Sequence, residues 1–129
     1  MEVEAALRLR STALEAAANA IAITDSNGRF QWINPAFTTL TGYTAEEVLG
    51  QTPSLLRSGL HDNTFYANLW QTISAGNVWQ GEIINRRKDG ALYTEEQMIT
   101  PVLDANNQPA YYIAIKHDIS TRKTAETKL

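Results

Sequence analysis

The sequence predicts an α+β domain built on an antiparallel sheet. Two observations carry this. Strand-like runs come in clusters, two early and three late, with short helical segments between the clusters. No βαβ alternation exists to make a parallel sheet. Within the clusters the runs are joined by turn signals, Asp25-Ser26-Asn27-Gly28, Lys88-Asp89-Gly90 and Asp104-Ala105-Asn106-Asn107. Such turns connect antiparallel neighbours. The chain has 129 residues, 43% of them apolar, which suits one domain with a single core.

Met1 to Ala18 is rich in Ala and Leu and reads as a flanking helix. Leu7, Leu14 and Ala18 give it a narrow apolar stripe, which fits a helix docked on its own domain or a seam for a partner helix. Asn19 to Asp25 (A-I-A-I-T) is the first strand and Arg29 to Ile33 the second. Asn34-Pro35 then opens a short helix to Leu40, with Asn34 as cap and Pro35 at the first helical position. Gly42 ends it. Thr44-Ala45-Glu46-Glu47 is a capping box for the next helix, whose buried side is expected to be Val48 and Leu49. Gln51 to Leu60 is broken by Pro53 and Gly59, with one helical turn at Leu55-Leu56. Asp62 caps a clearer helix from Asn63 to Ser74. Phe65, Leu69 and Ile73 share its apolar face, flanked by Tyr66 and Trp70.

The hairpin from Asn77 to Thr100 organises the rest. Before its turn, Trp79, Gly81, Ile83 and Asn85 point one way by the period of two. That face carries a large aromatic, a gap, an aliphatic and an amide. It suits the wall of a pocket for a flat heteroaromatic ligand, or a core face with a polar end. Pro109 to Asp118 is the last strand. Ile119 to Leu129 is polar and reads as the start of a second helix or linker.

Composition excludes several function classes. A net charge of −3 gives no electrostatic case for nucleic acid or an anionic membrane. No apolar run approaches the roughly 18 residues that span a bilayer, and the acidic start is no signal peptide, so a cytoplasmic setting is expected. Zero Cys removes disulfides, thiolate metal sites and cysteine chemistry. No phosphate-binding, zinc-protease or nucleophile-elbow motif occurs. His61 and His117 have no clustered ligands. Glu95 and Glu96 are adjacent on a strand and face opposite sides, so they cannot act as a carboxylate pair. The expectation is a binding module, not an enzyme.

Four stretches in order, I-A-I-T-D-S-N-G-R-F-Q-W-I-N-P-A-F, L-T-G-Y-T-A-E-E-V-L-G-Q, N-R-R-K-D-G and H-D-I-S-T-R-K, resemble a PAS sensor domain over about residues 12–122. The resemblance implies a five-stranded antiparallel sheet of order 2-1-5-4-3, with helices over one face making a ligand pocket. It assigns 1–18 to a flanking helix, 19–119 to the PAS domain and 120–129 to a signalling linker. It also implies a homodimer through the N-terminal helix and sheet face, and an output domain in a larger signalling protein.

L-L-R-S-G-L-H-D-N-T-F-Y-A-N-L-W followed by W-Q-G-E-I-I-N-R-R-K-D-G is similar to the FAD-binding PAS domains of aerotaxis receptors and of the nitrogen-fixation redox sensor. By that likeness FAD is the expected cofactor. Trp79 and Asn85 match site residues, and Arg57 matches an Arg placed to meet the pyrophosphate. Ile83 shares the Trp79 face. Gln97, with Glu95, falls on the strand face that matches the pocket side; turned inward, both need polar partners. Lys116 stands where light-oxygen-voltage domains carry a flavin-contacting Gln, and a Lys facing the ring favours an anionic reduced flavin. Pro53 stands where those domains carry the photoreactive Cys, which excludes their photocycle. His61-Asp62 faintly resembles the proximal-His context of haem-binding oxygen sensors. A haem sensor and a ligand-free dimerisation module are the alternatives to a flavin sensor of redox state or oxygen.

Overall fold

In a computed structural model, residues 18–121 and Ala13 are described. The N-terminal helix, its dimer seam and nearly all of the 120–129 linker lie outside them. Five strands form one antiparallel sheet: β1 (Ala20–Asp25), β2 (Phe30–Ile33), β3 (Trp79–Arg86), β4 (Leu92–Leu103) and β5 (Pro109–Asp118). Their spatial order is β2-β1-β5-β4-β3, as the resemblance implies. Helices α1 (Pro35–Thr41), α2 (Ala45–Val48) and α3 (Asn63–Ser74) come between β2 and β3, with a 3₁₀ turn at Pro53–Leu56.

Local chemistry sets these boundaries. The Asn34 side chain accepts the Phe37 N–H to cap α1 and also accepts the Ile21 N–H at 2.8 Å, so one amide fixes the helix start to β1. Gly42 stops α1 in the left-handed region at φ 82°. The capping box at Thr44 and Glu47 forms as expected. It holds only one turn, however. Val48 is fully buried, while Leu49 is 46% exposed. The expectation that both face inward is corrected, because α2 ends at Val48 and Leu49 leaves on extended backbone at ψ 129°. Asp62 caps α3 through the Phe65 N–H.

α1 packs on β1, and α3 crosses β3, β4 and β5. Two apolar clusters result. One joins Ala22, Phe30, Phe37 and Val48 under α1 and α2. The other joins Leu69 and Ile73 of α3 to Ile83, Ile99 and Tyr112 of the sheet.

Candidate ligand pocket

Between α3, the 3₁₀ turn and the inner sheet face lies a cavity of about 420 Å³. This falls within the 300–1,000 Å³ of small-molecule and cofactor sites. Its middle is apolar, walled by Leu69 and Ile73 from α3 and by Ile83 and Ile99 from the sheet. Pro53, at the start of the 3₁₀ turn, forms part of the rim.

The inner end is polar, and register explains it. Gln97 pairs with Lys116 across β4 and β5, and Asn85 pairs with Tyr93 across β3 and β4. Directly paired residues on one face bring their side chains together. Glu95, two residues before Gln97, shares that face and is completely buried. Its Oε1 accepts from Asn85 Nδ2 at 2.8 Å and from the Tyr93 hydroxyl at 2.9 Å. Its Oε2 accepts from Lys116 Nζ at 3.0 Å. Burial, reinforced by the adjacent Glu95 carboxylate, pushes the Tyr93 phenol far above its ordinary pKa, so it stays a donor. The network is self-consistent: one carboxylate, three donors, and a charge balanced by one ammonium.

Two polar groups are left over. Gln97 is only 6% exposed and forms part of the cavity wall, yet its amide makes no hydrogen bond to another described residue. The Tyr66 hydroxyl is buried without a partner among the described residues. The Tyr66 hydroxyl is sealed in, and native interiors leave few such groups; the Gln97 amide instead opens onto the cavity. A polar ligand gives that amide a partner.

Arg57 stands at the rim with its guanidinium 3.8 Å over the Tyr66 ring, held by a backbone bridge to Asn85. Burial raises the Tyr66 pKa, while the Arg57 charge works against that rise.

The candidates read from the sequence therefore divide. Asn85, Ile83, Gln97, Lys116 and Arg57 converge on the cavity. Trp79 shares their face but is absent from the wall. Its indole lies over Gly81, where an added Cβ would meet the ring at 2.9 Å, and sits edge-on to Phe65 at 5.9 Å. His61 is also outside the wall. It stacks on Phe65, and its Nε2 accepts the Ile84 N–H at 2.9 Å, so its ring nitrogen is already engaged in the protein. Among the described residues no three His, Asp or Glu side chains gather to hold a metal.

Sequence reasoning passed over Tyr112, the central role of Glu95, and Trp70 as more than a flank of the α3 stripe. Trp70 meets Tyr112 edge-on at 5.8 Å and roofs the cavity against Gly28. A Cβ at Gly28 would lie 2.7 Å from that indole, and its φ of +82° also favours glycine. The usable signal was the flanking of that stripe by aromatics at Tyr66 and Trp70.

The pattern of the PAS fold family matches residues 8–119. The chain is a PAS domain. It is 39% identical over 118 residues to the nitrogen fixation regulatory protein of Klebsiella oxytoca, covering 92% of this chain and 24% of that one. It is 34% identical over 122 residues to hybrid signal transduction histidine kinase L of Dictyostelium discoideum, covering 94% of this chain and 7% of that one. The PAS domain thus spans a quarter or less of these relatives, which are larger signalling and regulatory proteins. Among solved structures, an RNA-binding light-oxygen-voltage receptor superposes with a TM-score of 0.88 at 27% identity, over 95% of this chain and 35% of that chain. The PAS domain of a Colwellia psychrerythraea protein superposes with a TM-score of 0.78 at 31% identity, over 91% of this chain and 99% of that one. In this PAS domain Pro53 and the lack of any cysteine rule out a cysteinyl adduct.

Proposed function

We propose that this PAS domain binds FAD non-covalently in the cavity under α3 and senses redox state or oxygen. It passes that state to an attached output domain through the segments flanking residues 19–119. The observation that carries the reading is the unpartnered Gln97 amide, 6% exposed, in the wall of an otherwise apolar cavity. An isoalloxazine matches this donor and acceptor pattern. Its fused rings suit Leu69, Ile73, Ile83 and Ile99, and its pyrimidine edge offers acceptors and an N–H to Gln97 and Lys116. Arg57 at the rim suits a phosphate. Trp79 folds over Gly81 and edge-on to Phe65, beside the cavity rather than in its wall. The N–H donated to His61 speaks against a haem ligand at that position.

The test is the visible spectrum of freshly purified protein. Oxidised-flavin bands, with FAD released on denaturation, are the expected result. A colourless protein that takes up neither FAD nor FMN overturns the reading, and a Soret band replaces it with haem.

A further inference from the structure

The inner end of the cavity holds a charge pair whose members differ in freedom. Glu95 is fixed by three donors and has no exposed surface. Lys116 is 3% exposed and spends one of its three N–H groups, on Glu95. The remaining two belong to a side chain in the cavity wall, directly paired with the unpartnered Gln97. Lys116 therefore brings spare donors to the inner end of the ligand space, and its counter-charge is held behind it. The other charged groups stand apart from this end: Arg57 is at the rim over the Tyr66 ring, and Arg87 lies 4.2 Å over the Tyr93 ring and pairs with Asp118.

We propose that Lys116 makes this site bind the anionic, reduced form of an isoalloxazine more tightly than the neutral oxidised form, and that Glu95 limits the size of that preference. This rests on the flavin reading above. Reduction by an external donor, dithionite in the test, adds two electrons and one proton to the ring and leaves it one net negative charge. The protein gains and loses no atom. Lys116 meets the new charge by turning a spare N–H toward the pyrimidine edge, a charge-assisted bond in a water-poor site. Glu95 acts in the opposite sense, because it neutralises Lys116 and repels an anion at the same end.

The two residues must then move the midpoint potential in opposite directions, which a purely structural role would not produce. Potentiometric titration of the FAD-loaded domain, referenced to free FAD, reads this. The wild-type potential is expected above that of free FAD. Lys116→Met should lose roughly tenfold of the preference for the reduced form, lowering the potential by about 30 mV for a two-electron couple. Glu95→Gln still accepts the Lys116 N–H but removes the counter-charge, so the potential should rise. If Lys116→Met fails to fold because it strands Glu95, the paired variant Glu95→Gln/Lys116→Met carries the test. It leaves no unbalanced charge, and its potential should still fall below wild type. Shifts of the same sign in the Lys116 and Glu95 single variants, or a paired variant at the wild-type potential, overturn the inference. Flavin uptake with a potential indifferent to Lys116 defeats this inference alone. A wild-type protein that takes up no flavin defeats it together with the proposed function.

Discussion

The two halves of the core sit on one sheet and are built in opposite ways. Under α1 and α2 the packing is dry. Ala22, Phe37 and Val48 have no exposed surface, and Phe30, which turns its other side to the cavity, meets Phe37 edge-on at 5.5 Å. Under α3 the same sheet keeps a cavity of about 420 Å³ and buries Asn85, Glu95, Gln97 and Lys116. Ala22 and Ala114 make the contrast sharp. They are directly paired across β1 and β5, yet Ala22 touches only protein and Ala114 forms part of the cavity wall. The dry half stabilises the fold and leaves the other half free to carry polar groups that a core alone would not select.

Breaking either half tests that division. The largest loss is expected from Phe37→Ala, about 3–5 kcal/mol in denaturant unfolding, because a fully buried ring leaves a void that α1 cannot collapse into. Ligand uptake by the fraction still folded should be unchanged. Glu95→Leu should cost about 3–5 kcal/mol as well, but for a different reason: it strands the Lys116 ammonium together with the Asn85 and Tyr93 donors. Adding Lys116→Met should recover only part of that loss, since Asn85 and Tyr93 still lack an acceptor. Full recovery would mean that those two bonds add nothing.

The Ala22–Ala114 rung gives the finer test. Ala22→Leu overpacks the dry half and should cost about 1–3 kcal/mol. Ala114→Leu grows into the cavity, so its melting temperature should stay near wild type while ligand uptake is lost. Equal destabilisation by both would erase the distinction between the halves.

Sequence and structure divided the work along physical lines. Everything set within a few residues was legible: the Asn34 and Asp62 caps, the Thr44–Glu47 box, the turns at Gly28 and Gly90, and the period of two that turns Ile83 and Asn85 to one face. These depend on backbone hydrogen bonds and φ preferences that short stretches settle alone. The sheet order came from the resemblance, because strand order depends on long-range pairing that no local stretch encodes. The ends of short elements were harder to place, as Leu49 shows, since one turn has little of its own energy to defend a boundary.

The composition of the candidate site needed the tertiary structure. Trp79 and Asn85 share a strand face, yet only Asn85 reaches the cavity, because Gly81 lets the indole fold back toward Phe65. His61 and Arg57 lie in one loop, yet only Arg57 meets the cavity. The Glu95–Lys116 pair is separated by 21 residues in the chain and is joined by β4–β5 register. The sequence by itself determined which residues share a strand face, because the period of two is local; packing and register decided which faces turn inward and which residues are left facing the cavity.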